Sequence, residues 1–444
     1  MRWTAWEPSA IPSSRRSPDM AESEITGEPD VLERQPEAFV AGARLHDVGG
    51  VLLPRPFKIR RVGHFGYNCL DIDRMLDFYV DGLGLIISDQ SGRMPGRLPP
   101  DEQATLSDND RLLHFTRFGS DHHQLVFISQ KVWDWVGQNN GSAGASINQV
   151  TWQVGSLAEV VNGSEWIWGQ GERLLRSGRD MPGSNWHTYL FDPEGHINEL
   201  FYGMEQIGWD GLSKPSEMWS GVLDERPSLP QISETGEVQR AAGAGLDLAS
   251  GHRVDPRPDQ HYEVDGISMS RPFKIVGIGP ISLFVDDLPR AEAFYTRVLG
   301  FTVRERLSSS GYDGLVLHSG AEYFTLALYE SGLRGILGLP DRADSMALGF
   351  RVANYRHLRS AVEFMCARGA QEVRVPAELV PGFDYVTHLK DPDGNLVQLY
   401  YYQRQCGPAD PPTPAVSSSA AEWPEVIEAP PDVFGGQQFL GPWE

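Results

Sequence analysis

A glutamate, three histidines and a tyrosine stand where side-chain chemistry could occur against an apolar background. In "INELFYG", Glu199 interrupts a strand-like apolar run, and a carboxylate carried into a sheet core needs a cation or hydrogen-bond donors to offset its desolvation. His64 begins the strand-like "HFGYNCL", His122 and His123 are adjacent in "DHHQLVF", and His187 and Tyr189 lie two apart in "NWHTYLF". Side chains two apart on a strand face the same side. Imidazole and carboxylate are the groups that bind divalent metals and move protons near neutral pH. Each also has a plain structural reading: a histidine satisfied within a packed sheet, a solvated His-His pair on an edge strand, a tyrosine filling a sheet core.

The strands that must present these groups come in a repeated order. "RPFKI" occurs at 55–59 and again at 271–275, and the offset of 216 residues persists to Phe78 and Phe294, which marks an internal duplication. In each half a strand leads into a helix. Asp71 can cap a helix in which Ile72, Met75, Leu76 and Tyr79 recur at helical spacing and "GLG" ends it; Asp287, Leu288, Phe294 and "LGF" repeat the scheme. Strand-like "HHQLVFIS" (122–129) and "EYFTLALYE" (322–330) follow. A second unit then opens with "NQVTWQV" (148–154) and "MALGFRV" (346–352), and its closing strands flank "DPEG" and "DPDG", which are turn chemistry. The reading is an α+β chain of four βαβββ modules, two per half.

Residues 1–50 and 404–444 read as polar, proline-dotted tails, 51–203 and 271–403 as the two repeats, and 204–270 as a linker long enough to wrap one half. The 444 residues carry 60 acidic and 38 basic side chains, a formal net charge of -22. That field repels phosphate backbones and anionic lipid, so neither nucleic acid nor membrane is an expected partner. Cys69, Cys366 and Cys406 are too few and scattered for a disulfide framework or a cysteine zinc site. No apolar run approaches the roughly 18 residues of a membrane span, and the N-terminus lacks the apolar stretch of a secretory signal. A cytoplasmic protein is expected, and symmetric self-association is compatible with it. "VWDWV" (132–136) reads as packing or a lid, and "WIWGQGERL" (166–174) as a helix end with a glycine cap.

On "GHFGYNCLDIDRMLDFYVDGLGL", "DHHQLVF" and "DPEGHINELFYG" the chain resembles the vicinal oxygen chelate superfamily, over roughly 57–203 and 273–402. That group includes glyoxalase I, bleomycin-resistance proteins and type I extradiol ring-cleaving dioxygenases. The resemblance implies two duplicated vicinal-oxygen-chelate domains whose paired modules curve into a cleft, with first and last strands aiming side chains at a metal. Extradiol members hold Fe(II), or alternatively Mn(II), on two histidines and a carboxylate. Carried onto this chain, that set falls on His64, Gln149 and Glu199, so an amide replaces the second histidine. His123 matches the acid-base histidine and Tyr189 the tyrosine that hydrogen-bonds the substrate oxygen. Where the family has "GRH" this chain has "GRD", with Arg179 and Asp180, and the four-ligand glyoxalase set falls on His64, Gln124, Gln149 and Glu199.

The matching positions of the C-terminal half are Pro280, Ala347 and Gln398, none a strong donor. The metal is therefore expected in the N-terminal half, with the second half a non-catalytic copy. His187, on the side of Tyr189, is an alternative source of the missing nitrogen. What the resemblance implies is extradiol-type cleavage of a catecholic aromatic by O2. The runners-up are a metal-dependent isomerase or lyase that needs no O2, and a metal-free binding protein of the bleomycin-resistance kind, for which an apolar cleft with a few polar groups suffices.

Overall fold

A computed structural model describes residues 44–427 except 139, 209, 220, 222–225, 254–260, 265, 310 and 406–414. The tail segments 1–43 and 428–444 lie outside the described residues. A hairpin of β1 (His46–Val48) and β2 (Val51–Leu53) precedes the first sheet. That sheet comprises β3 (Arg61–Cys69), β4 (Ile86–Ser91), β5 (Leu113–Arg117), β6 (Leu125–Ser129), β7 (Ile147–Gln153), β8 (Leu174–Gly178), β9 (Trp186–Phe191) and β10 (Ile197–Tyr202). A second hairpin, β11 (Tyr262–Val264) and β12 (Ile267–Met269), precedes the second sheet. There follow β13 (Ile275–Val285), β14 (Thr302–Ser309), β15 (Tyr312–His318), β16 (Leu326–Glu330), β17 (Ser345–Val352), β18 (Gln371–Val373), β19 (Val386–Lys390) and β20 (Leu396–Tyr400).

The strand orders are β4-β5-β6-β3-β7-β10-β9-β8 and β14-β15-β16-β13-β17-β20-β19-β18. Each sheet is thus two βαβββ modules joined at their opening strands, β3 against β7 and β13 against β17, both antiparallel. The four modules are those read from the sequence. Asp71 caps its helix by accepting from the Arg74 backbone N–H at 3.1 Å, and the helix widens into a π turn over Asp77–Gly82 before Gly84, at φ +81°, ends it. The helix Leu157–Gly169 closes the same way at Gly171, φ +85°.

The two repeats share one apolar core, with Trp152 edge-on to Phe301 and Tyr79 against Phe350. Around it the polar contacts are reciprocal. Tyr79 donates its hydroxyl to Asp391 (3.1 Å), and Tyr295 donates its own to Asp192 (2.8 Å). The Leu70 N–H reaches Asp393 (2.7 Å), as the Asp286 N–H reaches Glu194 (3.1 Å). The "DPEG" and "DPDG" turns read as local chemistry are therefore also the acceptors that clamp one repeat to the other. Such pairwise exchange is what an isologous contact between equivalent surfaces requires.

Several boundaries differ from the expectation; the strand expected at 322–330, for one, begins at Leu326. The strand expected at 122–129 begins at Leu125, because His122 leaves the ladder and donates its backbone N–H to Glu205 (2.8 Å). The segment expected as linker holds a helix, Glu234–Gly243, and the β11–β12 hairpin, which lies 216 residues after β1–β2 and so belongs to the second repeat. Described residues of that segment, the helix included, touch the first repeat through an Asp121–Gln206 bridge, a Ser213 to Asp89 hydrogen bond (2.9 Å) and an Arg179 to Glu237 ion pair. Among the described residues no helix is long and apolar enough to cross a membrane.

Candidate metal centre

His64 reaches its position through an irregularity in β3. Val62 pairs with Trp152 and Phe65 with Val150, which leaves Gly63 and His64 together opposite Thr151. Two residues against one is a β-bulge, a device that re-aims a side chain. Thr151 satisfies the interrupted ladder: its hydroxyl accepts from the His64 N–H (2.5 Å) and donates to the His64 carbonyl (2.6 Å). Glycine is required beside it, since a Cβ at Gly63 would stand 1.9 Å from Cε1 of Phe201.

Glu199 sits beside Thr151 on the parallel neighbour β10 and opposite Tyr189 on β9. His64 and Glu199 are 1% and 0% exposed, and Nε2 of one lies 2.9 Å from Oε2 of the other. Oε1 accepts from Asn185 Nδ2 at 2.8 Å, whereas Oε2, despite its proximity to the imidazole, has no partner in hydrogen-bond geometry. Burial works to raise the Glu199 carboxyl, but the adjoining His64 prevails and holds it below its ordinary value. A buried carboxylate oxygen without a donor is costly. Two donors 2.9 Å apart match neighbouring ligands that each lie about 2.1 Å from one ion.

His123 is 3% exposed, with its ring centroid 4.4 Å from that of His64, so the solvated reading of the His-His pair does not describe it. Burial pushes its imidazole well below the ordinary value, and His64 and His122 act in the same direction. Tyr189 donates to Gln149 Oε1 at 3.3 Å. Burial and then the Glu199 charge push its phenol well up, and the Arg176 guanidinium lies 4.6 Å over its ring. Gln149 is half-buried in the cavity wall, while Gln124 turns away and accepts from the Phe118 N–H at 3.1 Å.

His187 does face the side of Tyr189, with ring centroids 4.7 Å apart. Its register partner is Phe201, however, two residues beyond Glu199, and its Nε2 lies 3.1 Å from Asp180 Oδ1. Asp180 is therefore the partner the structure gives its Nε2, and its supplying the missing nitrogen stays a proposal that metal binding by His187→Ala tests. Asp180 pairs also with Arg176, which against the effect of burial holds this carboxyl well below its ordinary value. Among the described residues no three His, Cys, Asp or Glu side chains gather as an ion site. What the structure does bring together is the His64–Glu199 pair, with the Gln149 amide joined to Tyr189, the register partner of Glu199.

His64 and Gln149 line a cavity with an empty volume of about 660 Å³, its open mouth included; Glu199 is not itself in the lining and adjoins it through His64, 2.9 Å away. Asn140, Asn148, Asn185, His123, Tyr189 and Arg176 are further polar lining residues, and Leu113, Phe115, Val126, Trp133, Met181 and Ile197 are among the apolar ones. Trp133 of "VWDWV" is therefore a wall of the cavity as well as packing. In the second repeat Ala347 belongs to an apolar cluster with Tyr323, Tyr329 and Phe383, and Gln398 faces His388 at 3.2 Å. Burial pushes the His388 imidazole down to about 4. Sequence reasoning did not single out Thr151, Asn185, His122 or Asp89; of these only His122, in "HH", left a trace.

A family model described as Glyoxalase/Bleomycin resistance protein/Dioxygenase superfamily matches residues 61–200 and 277–399. Metapyrocatechase 2 of Cupriavidus necator is 28% identical over 158 residues, 33% of this chain, and the chain spans only 38% of that relative's length. The 2,3-dioxygenase LapB from Pseudomonas sp. KL28 has a TM-score of 0.51 at 15% identity, over 81% of this chain and 97% of that one. A variant of homoprotocatechuate 2,3-dioxygenase from B. fuscum has a TM-score of 0.50 at 16% identity, over 81% and 76%. At such identities the structural likeness speaks to the fold.

Proposed function

The chain belongs to the Glyoxalase/Bleomycin resistance protein/Dioxygenase superfamily, and we propose that it is an extradiol-type dioxygenase that opens a catecholic ring with O2 at a non-haem Fe(II) centre, with Mn(II) the alternative ion. The observation that carries this reading is the buried His64–Glu199 pair, 2.9 Å apart with Oε2 lacking a partner in hydrogen-bond geometry, whose His64 lines a largely apolar cavity. His64 and Glu199 would hold the ion, and Gln149 would add a neutral third oxygen. When bound, the ion supplies Lewis acidity to two adjacent catecholic oxygens and a redox route to O2.

The remaining work belongs to the side chains around it. His123, kept neutral by burial, accepts the proton of a substrate hydroxyl. Tyr189, its phenol held protonated, donates to a substrate oxygen, and Arg176 over its ring limits its motion. Leu113, Phe115, Trp133 and Ile197 take the aromatic ring and exclude water. The similarity to metapyrocatechase 2 supports this reading.

The test is metal content and oxygen uptake. Protein prepared without oxygen or chelator, beside His64→Ala and Glu199→Ala, is expected to carry near-stoichiometric iron or manganese that both variants lose, and the parent to consume O2 with a catechol. Metal retention without O2 uptake would point instead to an isomerase or lyase. The Gln149 amide and the lack of a three-residue ion site among the described residues favour one further reading, a metal-free binding protein. Ligand binding undiminished by chelator, with no metal taken up on anaerobic loading, would establish it.

A further inference from the structure

Behind the cavity wall that carries His123 runs a chain of buried polar groups that the proposed chemistry leaves unused. Nδ1 of His123 lies 3.0 Å from Nδ1 of His122, with the rings nearly perpendicular. His122 is wholly buried; its Nε2 lies 3.4 Å from Asp89 Oδ2 and has no hydrogen-bond partner. Asp89 is fixed in turn, accepting from the Gln90 N–H (2.7 Å) and from Ser213 Oγ (2.9 Å), with His252 Nδ1 at 3.8 Å. Gly183 covers the pair. A Cβ there would lie 2.8 Å from Cε1 of His123 and 3.0 Å from Nδ1 of His122, and its φ of +94° favours glycine in any case. Ser213 and His252 come from the segment between the repeats, which thereby forms the back of the site.

Resting on the proposed role of His123, we propose that Asp89 and His122 are positioning residues that set the tautomer of His123, keeping its hydrogen on Nδ1 and its free electron pair on Nε2, within the cavity wall. A lone pair on His122 Nε2 would face a carboxylate oxygen at 3.4 Å, a repulsive contact at a buried site; a hydrogen there makes it attractive. A neutral imidazole protonated on Nε2 is only an acceptor at Nδ1. The single hydrogen in the 3.0 Å gap between the two Nδ1 atoms then belongs to His123. Its Nε2, which makes no hydrogen bond among the described residues, is left with the lone pair that a base needs.

The tautomers can be read directly. The full-length chain, labelled with 15N-histidine and kept in chelator so that no paramagnetic ion broadens signals, is studied by long-range 1H–15N spectra at a pH well above the ordinary imidazole range. His123→Gln assigns the resonance. The parent is expected to carry the His123 hydrogen on Nδ1. His122→Asn, whose amide oxygen can accept in place of Nδ1, is expected to retain that state. In Asp89→Asn and His122→Leu the hydrogen is expected to shift wholly or partly to Nε2, with circular dichroism and thermal unfolding as controls for folding.

A parent with the hydrogen on Nε2, or a folded Asp89→Asn variant with an unchanged His123 spectrum, would overturn the proposal. If His122→Leu does not fold, the parent and Asp89→Asn still decide. The spectra require neither metal nor substrate, so a failed oxygen-uptake assay would count against the ring-cleavage reading and leave the tautomer result standing.

Discussion

Replacing Glu199 by Gln separates a ligand from a structural ion-pair partner, because the two roles predict opposite changes in stability. The amide retains an oxygen to accept from Asn185 Nδ2, now 2.8 Å from Oε1, and removes a charge whose other oxygen has no donor. Leaving a buried acceptor unsatisfied costs about 1–3 kcal/mol, and more when it is charged, a cost partly offset here by His64 at 2.9 Å. In chelator, Glu199→Gln is therefore expected to unfold in urea within about 1 kcal/mol of the parent, or to be slightly more stable. With Fe(II) or Mn(II) at a hundredfold excess over its dissociation constant, the parent gains about 2.7 kcal/mol by mass action, a gain the variant should lose. Breaking a structural buried pair costs about 3–5 kcal/mol. A loss of that size in chelator, with no metal-dependent gain in the parent, would refute the assignment of Glu199 as a ligand.

Other perturbations report on the surroundings of the site. Gly63→Ala forces Phe201 aside from a 1.9 Å contact, an overpacking expected to cost about 1–3 kcal/mol and to reduce metal loading; Phe201→Leu in the same chain should restore part of both. Tyr295→Phe and Tyr79→Phe each remove a hydroxyl donated to a buried carboxylate of the other repeat, and should each lower urea stability by roughly 1–3 kcal/mol. His196 is pushed up to about 9: burial alone would lower it, but Asp192 at 2.9 Å prevails. A raised folded-state value stabilises the fold fully below the ordinary imidazole value of about 6.5 and is lost as pH rises through the folded one. Parent stability should therefore fall between those limits, by at most about 3 kcal/mol, and His196→Asn should flatten that slope.

The fold was legible because its signals are local. Alternation in "HFGYNCL" and "NQVTWQV", helical spacing after Asp71 and the 216-residue offset that links the opening units of the two halves each depend only on neighbours along the chain or on a copied text. The Asp192 and Asp391 turns were read equally well as turns. Their second task, accepting hydroxyls from Tyr295 and Tyr79 of the opposite repeat, could not be, since it exists only once the repeats dock.

At the site, the chain by itself determined which side chains could do the chemistry and which side of a strand each must face. His64 and Glu199 stand out as polar interruptions of apolar strands, and strand geometry puts His187 beside Tyr189. What alternation leaves open is distance. Two residues along a strand span roughly 6–7 Å, enough to carry His187 past the centre to Asp180 while Tyr189 stays at Gln149. Thr151 meets His64 across 87 residues, and Ser213 meets Asp89 across 124. Those meetings follow from a register shift in β3 and from a linker folded onto the first repeat, and only the closed tertiary structure brings such distant segments within hydrogen-bond range.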